Sequence, residues 1–385
     1  MVLVLSSTSS SDRAIVAGRG AQTRARRLAL RGIAAALGTF VAVQGTAVIL
    51  IEAGIVHRDP VYAAGLARLR ARLAAARDPE LVVLLGSSRL QHGVVGSTLE
   101  RRLRSAWGRP VIVFTFARSG GGPVTELVLL ERLWRDGLRP SVLVVEAATM
   151  LFADTSAGPV EMHWLPVRTL ARRERAGLAS RGVADLRLDV PQWVDGWVPA
   201  YSLRVAILSR LSPPWAALVG NLERWPALNE FGTPYGVPFE PRSEAERDAG
   251  VQRTRRGYSW LPELRLGRRA SRAVRALLDG AAAQGAPTIL VRTPESSRAR
   301  SWYPPAASEI DGFLQDVSAA YRAPVIDARE WIPDDEFVDG DHPATVGAAR
   351  FTERLGDALA AALPSRAQRR APRDAGASAR AGIGR

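Results

Sequence analysis

The sequence contains neither cysteine nor lysine: all 52 basic side chains among its 385 residues are arginine. Without cysteine there is no disulfide framework, no thiol nucleophile and no thiolate metal site. Histidine is scarce too. The four histidines, at 57, 92, 163 and 342, are too scattered for a dedicated histidine-rich metal site. Hydrophobic residues nonetheless make up 47% of the chain, enough to build a core in one large or two modest domains. Global disorder is thereby excluded.

Acids are outnumbered, 38 against 52, leaving a net charge of +14. Such a balance invites a polyanion as partner, but its distribution argues otherwise. Residues 1–31 carry six arginines against one aspartate, and residues 366–385 repeat that ratio. The remaining body holds only +4, ordinary for its size. Nucleic acid is therefore not an expected partner, and protein partners are left open. The arginine-only usage, with abundant Ala, Gly and Pro, has the look of a GC-rich coding bias.

Between Arg31 and Glu52 lie twenty residues without a charge, GIAAALGTFVAVQGTAVILI. At about 1.5 Å per residue a helix of this length spans a hydrocarbon core of roughly 30 Å. The preceding arginines keep the N-terminus cytoplasmic by the positive-inside rule and send the rest outward. The expected organisation is a basic cytoplasmic tail (1–31), a transmembrane anchor (32–51) and a juxtamembrane helical segment (52–77). The chain would then be a single-pass protein of the bacterial inner membrane with a periplasmic body. A cleaved signal peptide and a buried core helix are the alternatives.

Beyond Pro60 the chain alternates short apolar runs with helical patterns. The runs are 81–85, 111–116, 142–145, 288–291 and 325–326; the helical patterns lie near 61–77, 96–107, 123–136, 305–321 and 344–363. Near-continuous apolar strands between helices signal a parallel sheet covered on both faces. The expected fold is α/β, a flavodoxin-like doubly wound parallel five-stranded sheet over 78–363. Residues 151–265 break the alternation. They hold Trp164, Trp193, Trp197, Trp215, Trp225 and Trp260 and read as a helical and irregular insertion. Residues 364–385 lack apolar periodicity and read as a disordered basic tail.

In such sheets ligands bind beyond the carboxyl ends of the strands. Those ends deliver Gly86-Ser87-Ser88-Arg89, then Arg118-Ser119-Gly120-Gly121-Gly122, then Glu146-Ala147-Ala148-Thr149, then Thr293-Pro294-Glu295-Ser296, and finally Asp339-Gly340-Asp341-His342. A serine nucleophile needs a base, and the base needs an orienting group. Ser88 sits on a tight turn; His342 is the best base, with Asp339 three residues earlier as its orienter and Asp341 as an alternative orienter or helix cap. The N–H groups of Ser88 and Gly120 can hold a developing oxyanion. Arg89 can bind an anionic substrate group or pair with Glu146 or Glu295. Glu295 and Ser296 are candidate substrate contacts, and His92 is a bystander.

These blocks resemble the SGNH (GDSL-type) hydrolase superfamily. LLGSSRLQHGV resembles its first block with Ser88 as nucleophile, and FTFARSGGGP the second with Gly120 as the oxyanion glycine. FVDGDHPATVGAARFTERL is similar to the last block, where Asp339 and His342 match the Asp-x-x-His pair and the closing helix carries Gly347, Phe351, Thr352 and Leu355. The likeness covers 78–363 apart from most of the insertion. It is nearest to membrane-anchored bacterial members with a Gly-Ser-Ser-Arg block and a Pro-Glu-Ser loop followed by Trp-Tyr, here TPESSRARSWYPP.

Two departures stand out. Ser87 replaces the first-block Asp, and the third strand ends in EAATMLF without the expected oxyanion Asn. Loss of one such donor costs about 10²–10³ in rate unless another group takes its place; Gly121, Thr149 and Arg89 are the candidates. The resemblance implies an ester hydrolase, or an acyltransferase to an envelope glycan, working through an acyl-enzyme on a small acyl ester or glycan substrate. It implies no cofactor and no metal. The alternative is a non-catalytic SGNH-like scaffold or carbohydrate-binding protein of the envelope.

Overall fold

The computed structural model describes residues 10–53, 55–155, 158–159, 170–183, 198–211, 228–233, 240 and 243–363. Trp164, Trp193, Trp197, Trp215 and Trp225 of the insertion lie outside the described residues, as does the 364–385 tail. The chain divides into two compact units, one of residues 1–58 with 189–223, the other of 59–188 with 224–385.

The first unit is built on a helix, α1 (Ser10–Glu52), that runs from the arginine-rich segment through the charge-free stretch. Its part from Arg24 to Glu52 is long and apolar enough to cross a membrane and is almost wholly exposed. Within the same unit, Ile51 and Val56 pack with Leu203, which follows the short helix Pro199–Ser202, and with Ala206 of the helix Arg204–Leu211.

The second unit has the doubly wound sheet expected from the sequence. Helix α2 (Pro60–Ala75) begins at Pro60, capped by the Asp59 carboxylate, which accepts a hydrogen bond from Tyr62 N. Five strands follow: β1 (Glu80–Gly86), β2 (Val111–Ala117), β3 (Val142–Glu146), β4 (Thr288–Arg292) and β5 (Val325–Asp327). All pairings are parallel, in the order β2-β1-β3-β4-β5. Between them run α3 (Ser88–Gly93), α4 (Gly96–Trp107), α5 (Pro123–Arg135), α6 (Arg268–Ala283), α7 (Ser308–Tyr321) and the closing α8 (Thr345–Ala362).

The reason for two covered faces lies in β1, whose seven residues are all buried. Leu81, Val83 and Leu85 join one core layer with Leu66 and Leu69 of α2, Leu127 and Leu130 of α5, Leu277 of α6 and Ile310 of α7. Val82 and Leu84 join the other, with Leu99 and Leu103 of α4 and Phe351, Leu355 and Leu359 of α8. Alternate residues of one strand thus serve opposite layers, so a polar residue on either face would be stranded.

Two features differ from the expected outline. Helix α6 adds to the expected helices; its buried positions 270, 273, 274, 277, 278 and 281 follow a helical repeat. The insertion is not only helical and irregular: Ala153–Thr155 pairs antiparallel with Gly158–Pro159 and with Arg265–Leu266. That small sheet fastens the beginning of the insertion to its end.

The strand order places the topological switch at β1, whose neighbours β2 and β3 are reached in opposite directions. The loops after β1, β2 and β3 therefore open at the crevice where doubly wound sheets bind ligands.

Candidate active site

At the end of β1 the chain turns sharply from strand to helix. Ser87 takes the cap position of α3, its hydroxyl accepting a hydrogen bond from Arg89 N at 3.1 Å. Its own backbone N–H donates to Glu146 Oε2 at 2.5 Å, while Thr293 Oγ1 donates to Glu146 Oε1 at 2.9 Å. Glu146, buried at the end of β3, thus ties the turn to two other strand ends. Burial pushes its carboxyl pKa up, against the Ser87 hydrogen bond and the field of Arg89. Ser88, the first residue of α3, is left half-buried at the mouth of the sheet.

The last loop closes on it from the other end of the domain. Phe337 bridges to Pro343, and Val338 N donates to His342 O at 3.0 Å, making a tight turn. Asp339 Oδ1 accepts the N–H groups of Asp341 (3.0 Å) and His342 (2.8 Å), so the orienting carboxylate also shapes the loop. His342 Nε2 lies 2.9 Å from Ser88 Oγ, and its Nδ1 lies 3.0 Å from Asp339 Oδ2. The structure therefore brings Ser88, His342 and Asp339 into one hydrogen-bonded array with the spacing that a nucleophile, a base and its orienter require.

A second carboxylate faces the same ring. Asp341 Oδ1 stands 3.0 Å from His342 Nδ1, without hydrogen-bond geometry, and its side chain is buried. Its other oxygen accepts from Arg89 Nη2 (2.9 Å) and from Tyr258 OH (3.0 Å). Burial alone would raise the Asp341 pKa, but Arg89 and the imidazole pull it far below the usual carboxylate range. Burial opposes charge on His342 as well, yet Asp341 and Asp339 outweigh it and lift the ring's pKa to about 10. Asp339, Asp341 and His342 also hold three potential metal-ligand atoms within 4.8 Å of one another. The two ring nitrogens, however, already meet Asp339 and Ser88, so a metal there would have to displace one of them.

Arg89 does not offer its charge to a ligand, contrary to one of its expected roles. It is 3% exposed, and besides Asp341 it holds Glu295 Oε1 at 2.5 Å, which Tyr303 OH also reaches at 2.7 Å. Burial would lower the Arg89 pKa, but Asp341 and Glu295 together raise it well above its ordinary value. Glu295 is consumed by the same pairing rather than facing substrate. Ser296, also buried, caps the short helix Ser297–Arg300 and donates through both its N–H (3.0 Å) and its hydroxyl (2.9 Å) to Gly340 O. That residue secures the histidine loop instead of contacting a ligand. Thr149, buried after β3, accepts a hydrogen bond from Arg292 Nη2 at 2.7 Å through its hydroxyl.

The glycine loop after β2 is pinned from two sides. Arg118 N donates to Gly86 O at 2.9 Å, drawing the loop against the end of β1. The Arg118 guanidinium meets both oxygens of Asp59, at 2.6 and 2.7 Å, and Arg132 Nη1 reaches the same carboxylate at 2.6 Å. Gly120 has φ +64°, a conformation natural to glycine. Gly121 N–H is used within the turn, donating to Arg118 O at 2.8 Å, which leaves Gly120 rather than Gly121 as the candidate backbone donor. His92 sits one helical turn after Ser88, its ring centroid 6.3 Å from that of His342.

Sequence reasoning did not single out Tyr258 or the Ser87–Glu146 bond as parts of this site, and it met Tyr303 only as the Trp-Tyr of the TPESSRARSWYPP motif. Nothing in local spacing marks Tyr258, which meets Asp341 across 83 residues, or Glu146, which meets Ser87 across 59.

No family model matches the sequence, and no curated protein matches it. Among solved structures, the chain is similar to TesA, with 12% identity, TM-score 0.35, and 74% of this chain aligned to 99% of that one. It is also similar to the esterase EstA from Pseudoalteromonas sp. (10%, TM-score 0.32, 73% and 96% covered). A third is Est24, a carbohydrate acetylesterase from Sinorhizobium meliloti (10%, TM-score 0.31, 74% and 100%). Likeness this distant decides neither substrate nor reaction.

Proposed function

We propose that this chain is an SGNH-type serine hydrolase acting on ester bonds, anchored by α1 with its catalytic body outside the cytoplasmic membrane. The observation that carries the reading is the Ser88–His342–Asp339 array, with 2.9 Å from Oγ to Nε2 and 3.0 Å from Nδ1 to the carboxylate. With the ring neutral, Ser88 gives its proton to Nε2 while Oγ attacks the ester carbonyl carbon. The carbonyl oxygen becomes an oxyanion facing the N–H groups of Ser88 and Gly120. Collapse expels the alcohol, which takes the proton from His342, and leaves an acyl group on Ser88. Water then attacks the acyl-enzyme with His342 as base, releasing the acid. A sugar hydroxyl in place of water makes the same chemistry an O-acyl transfer to an envelope glycan; access of that acceptor and exclusion of water separate the two outcomes.

The anchor reading rests on the exposed apolar helix Arg24–Glu52 behind an arginine-rich segment. The body 78–363 carries the chemistry, with 151–265 as its insertion.

A fluorophosphonate probe tests the reading directly. The folded protein, probed from neutral to alkaline pH, should label, and Ser88→Ala should not. Absence of labelling in the folded wild type would overturn the enzyme and leave a binding protein built on the same fold.

A further inference from the structure

The insertion's described segment 198–211 packs against the apolar helix of its own unit at a particular height. Ala200 N donates a hydrogen bond to Gln44 Oε1 at 2.8 Å. Leu203 and Ala206 are buried with Ile51 and Val56, and Leu50 and Ile207 lie against them. Gln44 and Ile51 both belong to the outer part of the charge-free run, separated by about 10 Å of helix rise. An element that touches the helix over that interval reaches from the outer end of the charge-free run to within about 4 Å of its midpoint, through the depth of the outer leaflet. We propose that segment 198–211 is an interfacial element reaching from the outer headgroup region into the outer leaflet, with a phospholipid bilayer as its partner. The proposal rests on α1 being the membrane anchor.

The chemistry of the segment fits that occupant. Gln44 is a polar side chain inside an apolar run, and in lipid it needs a partner. The partner is an N–H from the first turn of Pro199–Ser202, a position with no acceptor inside its own helix. Facing outward from the unit are Tyr201 and Leu211, 55% and 69% exposed, a large area for side chains of this type to leave in water. Tyrosine is enriched where one end of a ring is wet and the other apolar. Arg204 stacks 3.9 Å from the Tyr201 ring centroid, and Arg210 follows, so residues 198–211 carry two cations and no acid. Arginine stems lie along apolar surface while their heads reach phosphate. Trp193, Trp197 and Trp215 flank the segment in sequence.

The absence of cysteine makes the test clean, because one introduced thiol is unique. Full-length Tyr201→Cys, Leu211→Cys, Ile49→Cys and Asp316→Cys would each carry an environment-sensitive fluorophore in vesicles of phosphatidylcholine and phosphatidylglycerol. Labels at 201 and 211 should be blue-shifted, quenched by nitroxide borne on the lipids and shielded from aqueous iodide. The label at 316 should respond to iodide alone. If 201 and 211 behave like 316 while 49 is quenched from the lipid, the interfacial element is overturned and the anchor stands. If 49 also fails to meet lipid, the anchor falls and the proposal with it. Shielding of 201 and 211 from both quenchers marks a protein contact and equally overturns it.

Discussion

His342, the base of the proposed reaction, stands under the influence of two carboxylates, and the difference between them is informative. Asp339 makes the hydrogen bond to Nδ1, whereas buried Asp341 contributes mainly its charge, held in place by Arg89 and Tyr258. A ring whose pKa stands near 10 is protonated at neutral pH, and the proposed reaction needs it neutral. The kcat/KM for a simple ester should therefore climb with pH up to about 10, instead of levelling off near the ~6.5 of an unperturbed imidazole. Asp341→Asn should move that limb toward acid while the ring stays oriented by Asp339; a pH–rate profile of both proteins checks it, and an unmoved limb would clear Asp341 of the effect. The same shift has a stability counterpart. Because the folded pKa lies above the unfolded one, the stabilisation from His342 is complete below about 6.5 and is lost as pH rises through about 10. Arg89 belongs to the same account: it pairs with both Glu295 and Asp341, so removal of the guanidinium would strand two buried carboxylates, whereas loss of Asp341 leaves Arg89 paired with Glu295.

At the scale of elements, the site depends on how closely β1 and β3 approach where they end. A Cβ built on Gly86 would stand 2.5 Å from Glu146 Oε2 and 2.7 Å from Glu146 Cβ. Gly86→Ala must push Glu146 away from Ser87 N, so it should cost about 1–3 kcal/mol of stability and slow acylation of Ser88. Urea denaturation and the rate of fluorophosphonate labelling read the two effects separately. The strands and most helices were legible in the sequence because buried parallel strands are continuous apolar runs and covering helices repeat every three to four residues. Helix α6 carries the same repeat at 270, 273, 274, 277, 278 and 281, but it adjoins an insertion of irregular composition. The strands Gly158–Pro159 and Arg265–Leu266 are two residues long and have no period to read. Ser88, Asp339 and His342 stood out since each lies in a turn after a strand and the latter two have a fixed local spacing. The pairing of Arg89 with Glu295 was one of the roles open to it in the sequence, but its second partner, Asp341, was not legible, because it lies 252 residues away. Ser296 and Thr149 were hidden by the same distance, their partners lying 44 and 143 residues off.

For the whole molecule, net charge separates into topology and chemistry. The arginines of α1 that precede its charge-free run are the ones that set orientation under the proposed anchor, while the sheet carrying Ser88 needs no strong charge of its own. In intact cells with a permeabilised outer membrane, a membrane-impermeant maleimide should therefore label Asp316→Cys and leave Ala25→Cys untouched until the inner membrane is breached. The reverse pattern would invert the orientation. The separation of the nucleophile from its base along the chain, 254 residues, also sets a timescale. At about 5–20 residues per second, synthesis reaches His342 roughly 13–50 s after Ser88 has been made. Throughout that interval the serine is an ordinary alcohol with no base to ionise it. Under the proposed topology, a body exported behind an anchor whose N-terminus stays inside would thus cross the membrane without attacking the esters it meets on the way, and would acquire its reactivity only as its last loop and helix fold into place.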